Sequence, residues 1–100
     1  MDRLNQLKQF YNEDQEDPFN LYALALEWSK SNPRKGIELF RQLHERHPQY
    51  VPTYYQLAIL LLANNQSKEA VVFIEEGIEI AIKQNDSKSA GELRNLLEED

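Results

Sequence analysis

The chain contains no cysteine. Disulfides, thiolate metal sites and thiol nucleophiles are thereby removed together. Glycine is scarce, at three in 100 residues, and alternation of apolar β-branched residues with polar ones is almost missing, so strands are not expected. Nowhere do 18 apolar residues run consecutively, which excludes a membrane-spanning helix. The opening residues, Met1-Asp2-Arg3-Leu4-Asn5-Gln6, lack the apolar core of a signal peptide. A cytoplasmic protein is the default expectation. Basic residues are the minority, 11 against 17 acidic, for a formal net charge of −6. Nucleic acid is a poor partner for such a chain, because binding there depends on cations displacing counterions. A partner with a basic face is favoured instead.

What the chain does have is apolar residues at helical spacing. Tyr54, Leu57, Ala58 and Leu61 fall at i, i+3, i+4 and i+7, one face of a helix. Ala70, Ile74, Gly77 and Ala81 form a second such face, with Val71, Ile78 and Ile82 beside it. Small residues, Ala58 and Ala70, stand where two helices must approach closely. The polar break Asn64-Asn65-Gln66-Ser67 is short enough only for an antiparallel helix pair. The design recurs upstream. Leu21, Leu24, Ala25 and Trp28 repeat the first face 33 residues earlier, and Gly36, Phe40 and Leu43 repeat the second 34 residues earlier. A period of this size marks a stacked helical array.

These residues resemble the tetratricopeptide repeat, a helix–turn–helix unit with a W-x2-L-G-x2-Y…A-x3-F…P pattern. The two copies read Leu21-x2-Leu24-Ala25-x2-Trp28…Gly36-x3-Phe40…Pro48 and Tyr54-x2-Leu57-Ala58-x2-Leu61…Ala70-x3-Ile74. The resemblance covers roughly residues 18–82. Ile82 stands where the closing proline would be, so the last repeat's second helix is expected to run on about a turn further. Taken whole, the chain looks like the small bacterial proteins of this class. The resemblance implies an all-α fold of antiparallel helix–turn–helix repeats stacked as a short right-handed α-solenoid.

In chain order, 100 residues with 41% apolar content suit a single domain spanning 1–100. Residues 2–13 read as an N-terminal helix with Leu4, Leu7, Phe10 and Tyr11 on one side. Repeat one takes 18–50 and repeat two 51–84. Asp17-Pro18 and Asn32-Pro33 are helix starts, a capping side chain followed by proline. Pro48 and Pro52 bracket the boundary between repeats, and Ser67 and Ser87 read as caps. A last helix over 87–98, with Ala90, Leu93, Leu96 and Leu97 on one face, would cap the array, whose end repeat otherwise exposes its flank. The total is six helices.

The first helix of each repeat carries more apolar surface than its pairing requires. Phe19, Tyr22 and Leu26 form an extra stripe in repeat one; Tyr55, Ile59 and Leu62 form one in repeat two. In the family, first helices line the concave side, so the resemblance implies an apolar, tyrosine-edged groove, with Gln56 offering a donor and an acceptor to a peptide backbone. Such a groove suits an extended peptide or an amphipathic helix of another protein. Two other coverings stay open: a terminal helix of the same chain, or a second copy in a homo-oligomer. The family's carboxylate-gripping variety is rejected, because the corresponding places hold Tyr22, Leu26, Tyr55, Gln56 and Ile59 and supply no cation.

Catalysis finds little support, and no cofactor is implied. His44 and His47, with Glu45 nearby, could contribute two metal ligands, but no spacing points to a third. Histidines near a helix C-terminus more commonly just complement its dipole. The acidic runs at 13–17 and 98–100 read as solvated connector and tail, without the pocket that paired catalytic carboxylates need. No phosphate-cradling glycine loop and no hydroxyl-nucleophile motif occurs. The expectation is a protein-binding module and not an enzyme.

Overall fold

The computed structural model describes residues 2–98. Met1, Glu99 and Asp100 lie outside them, and with them most of the acidic tail expected at 98–100. The described residues form six α-helices and no strand: α1 (Arg3–Glu13), α2 (Pro18–Ser31), α3 (Pro33–Arg46), α4 (Pro52–Ala63), α5 (Ser67–Lys83) and α6 (Ser87–Glu98). The fold is all-α and of helical-repeat type, as the periodicity requires. The helices fall into two compact units, Met1–Pro48 and Gln49–Asp100.

In the first unit α2 packs against both α1 and α3. The Asp17 carboxylate accepts from the Phe19 N–H at 3.0 Å and starts α2 on Pro18. Asn32 then serves two helices. Its N–H donates to the Trp28 carbonyl, ending α2, while its side-chain oxygen accepts from the Lys35 N–H at 3.2 Å, starting α3. A one-residue turn of this kind forces α2 and α3 together. A β-carbon placed on Gly36 would lie 3.0 Å from the backbone Cα of Ser29, so glycine lets the two helices approach without displacing that backbone. Leu7, Leu21, Leu24, Ala25, Ile37, Leu39, Phe40 and Leu43 are buried. Phe10, expected on the buried side of α1, is 50% exposed, because it lies at the edge of the arc that Leu4, Leu7 and Tyr11 turn toward α2.

In the second unit α4, α5 and α6 pack mutually around Val51, Tyr54, Ala58, Ile74, Ile80, Ala81, Ala90, Leu93 and Leu96. Both of its turns close in the same way. Asn65 and Asn85 each take φ of 60°, the left-handed conformation that asparagine tolerates better than most residues. The next N–H then reaches back five residues, Gln66 to the Leu61 carbonyl and Asp86 to the Ala81 carbonyl, each at 2.8 Å. The serines expected as caps are instead the first helical residues of α5 and α6. Gln66 precedes α5 without a side-chain capping bond, and the Asp86 carboxylate caps α6 by accepting from the Ser89 N–H at 3.1 Å. Hydrogen bonds from the Ser89 side chain and backbone, with the charge of Lys88, hold Asp86 below the usual carboxylate range. At 17 residues α5 outruns the 14 of α3, with Ile82 in its last turn where a proline would have stopped it.

Candidate functional site

On α2 the aromatic part of the proposed stripe is assembled. Phe19, 57% exposed, lies 6.4 Å from Tyr22 between ring centroids, and Tyr22 meets the buried Phe40 ring edge-on at 5.9 Å. Phe40 thus anchors Tyr22 from the core side, while Phe19 stays open to solvent. Leu26, one turn further along α2, is half-buried. Asp17 fixes the start of this row, since its carboxylate holds the Phe19 backbone.

On α4 the stripe is partly covered. Tyr55 is half-buried and packs against the core of the second unit. Gln56 is half-buried at the stripe's edge. Ile59 is 37% exposed. Leu62 turns into a cleft of about 200 Å³, shared with Val71 and Ile74 of α5 and with Leu96 and Leu97 of α6. Leu62 therefore lies beside the terminal helix, and Ile59 is the more exposed of the two. The spacing of 55, 59 and 62 could not disclose this, because α6 has no repeat partner in the sequence to reveal where it lies.

Beside the stripe, α4 carries a partly buried polar contact. The Tyr54 hydroxyl donates to Glu76 Oε2 at 3.1 Å. Burial first, then the Glu76 charge and this bond, push the phenol well above its ordinary range.

A concavity that the sequence reading missed lies in the first unit, on the other side of α2. It is an open cleft of about 360 Å³ among α1, α2 and α3. Leu24, Trp28 and Leu39 form its apolar surface; Lys8, Tyr11, Asn12 and Lys35 form the rest. The Lys8 ammonium stands 5.4 Å from the centre of the Trp28 ring. Tyr11 accepts a hydrogen bond from Arg46 Nη1 at 2.6 Å. Trp28 has the spacing of a core residue, yet it is only half-buried, whereas Leu61 at the corresponding place is fully buried.

His44 and His47 lie in the last turn and at the C-cap of α3. Among the described residues no three histidines or carboxylates are grouped to hold a metal ion. Nor is any described helix long and apolar enough to cross a membrane.

The family model for the tetratricopeptide repeat matches residues 27–89. The crystal structure of a tetratricopeptide repeat domain protein from Salinibacter ruber is 37% identical at a TM-score of 0.76, over 80% of this chain and 90% of that one. A solution NMR structure of a tetratricopeptide repeat domain protein from the same organism is 38% identical at 0.79, over 83% and 85%. No curated protein matches. Paired helices at the repeat's spacing, a family match over well more than half the chain and two solved structures of the same kind agree: the chain belongs to the tetratricopeptide repeat family.

Proposed function

We propose that this chain is a protein–protein interaction module that receives an apolar segment of a partner on the outer stripes of its first helices. The contact residues are Phe19, Tyr22 and Leu26 on α2 and Tyr55, Gln56, Ile59 and Leu62 on α4. The observation that carries the reading is the Phe19–Tyr22 pair, an open aromatic ring tilted against one that the core already holds. A rigidly backed aromatic loses little conformational freedom on binding, which is why such side chains anchor interfaces. The excess of 17 acidic over 11 basic residues favours a peptide or amphipathic helix with basic flanks.

The test uses Phe19→Ala and Ile59→Ser, since both side chains are exposed and their loss should leave the fold intact. Tyr55 is a poorer probe, because its packing on the core would mix stability with binding. A partner retained by the native chain should be lost with both variants, weakened at least about tenfold. It should be kept by Val72→Ser, which removes an exposed apolar side chain from α5, outside the stripe. Equal loss with all three would defeat the proposal. A concentration-dependent dimer in sedimentation, dissociated by Ile59→Asp, would replace it with self-association through the same stripe.

A further inference from the structure

We infer that the first unit carries a binding site for a small aromatic anion, an aryl carboxylate or sulfonate, in the cleft among α1, α2 and α3. This site is independent of the stripe. Leu24 and Trp28, one turn apart on α2, face roughly opposite to Tyr22 and Leu26. The cleft opens to solvent, holds about 360 Å³ and is lined by residues of all three helices. Its volume is at the lower end of small-molecule sites, about 300–1,000 Å³, and too small for a length of peptide.

The chemistry of the walls selects the ligand. A half-buried indole flanked by two leucines offers a planar ring an apolar surface to pack on. The charged groups at the cleft are both ammonium ions, Lys8 from α1 and Lys35 from α3, with no carboxylate in the lining. That is a local reversal in a chain whose acids outnumber its bases 17 to 11. Lys8 already sits against the indole, where a ligand's negative end would meet it directly. Lys35 is shared with Glu38 at 3.4 Å, an exposed pair of the kind that contributes little and yields readily to a better anion. The Tyr11 oxygen accepts from Arg46, which leaves its own hydrogen to be donated to a ligand oxygen. A cation would be repelled by both lysines, and a neutral ring would gain nothing from Lys8, the ammonium that stands over the indole.

Trp28 is the only tryptophan, so its indole N–H gives one assignable signal in amide NMR spectra of the labelled full chain. Titration with cinnamate should shift that signal and the Leu39 amide saturably. Cinnamamide, the same ring without the charge, should bind at least about tenfold more weakly, as should cinnamate to Lys8→Gln or Lys35→Gln, the loss expected for one charge-assisted contact. Lys8 is exposed, so Lys8→Gln should keep the native spectrum. The inference is overturned if cinnamate gives no saturable shift at Trp28 up to about 10 mM. It is equally overturned if the amide binds as well as the acid, or if the lysine variants bind as the native chain does.

Discussion

Repeat one places Leu21 and Leu43 where repeat two places Tyr54 and Gly77, and all four are buried. One repeat fills its helix pair with two medium side chains, the other with a large one and none. Glycine at 77 makes the second solution possible. A β-carbon there would lie 2.6 Å from Tyr54 Cβ, 2.8 Å from Tyr54 Cγ and 2.9 Å from Leu93 Cδ1, closer than packed carbon atoms allow. Gly77→Ala should therefore destabilise the chain by about 1–3 kcal/mol, the usual consequence of overpacking. Combining it with Tyr54→Ala, which removes Cγ and the ring and leaves room for the remaining β-carbon to give way, should recover part of that loss, so the double variant should be more stable than the sum of the single effects predicts. Urea denaturation of the four proteins measures this coupling. Strict additivity would mean that the ring and the glycine do not share a volume. Spacing alone placed Tyr54 and Gly77 each on the buried face of its helix, but it could not pair them, because that pairing is made by the packing of α4 on α5.

Helix starts and helix stops differ in how openly a sequence declares them. Asp17-Pro18 and Asn32-Pro33 declare starts through side chains, and the capping bonds form where those residues stand. The starts of α5 and α6 are decided from behind, by Asn65 and Asn85 turning left-handed and closing the preceding helix with backbone bonds. A capping signal written in backbone geometry leaves only a weak trace in residue type, here the asparagine common to Asn64-Asn65-Gln66-Ser67 and Gln84-Asn85-Asp86-Ser87. Serine was the more conspicuous residue and the wrong one. Inside α6, Gly91 has nothing within 4 Å of the β-carbon position, in contrast to Gly36 and Gly77. Gly91→Ala should then raise stability by about 0.5–1 kcal/mol, through helix propensity with no steric cost. Thermal unfolding of the single variant is the check. A loss of stability would mean that the face of α6 at Gly91 needs an open position.

Across the whole chain, the 33-to-34-residue period was enough to establish the repeat class, since helical periodicity survives wherever one face is buried. The proposed stripe was half legible: its residues follow from spacing, but the place of Leu62 beside the α5–α6 cleft does not. The first unit's cleft was illegible, because Lys8 and Trp28 are 20 residues apart and Trp28 keeps a core position's spacing. Charge is the molecule-wide property that no periodicity reports, and its effect on stability can be decided by sign. Ion pairs such as Arg3–Glu27, Lys30–Glu27, Lys35–Glu38 and Lys83–Glu79 involve solvent-exposed cations, the last three each joining residues of one helix, and such pairs contribute little. Against them stands the self-repulsion of a chain with net charge −6, which acts over many charges at once. Salt screens both, so the sign of its effect shows which is larger. Raising sodium chloride from about 10 mM to about 150 mM at neutral pH should raise the melting temperature by about 2–4 °C, as repulsion fades faster than pairing. A fall in melting temperature over the same range would show that the surface pairs act as a stabilising network and outweigh the net charge.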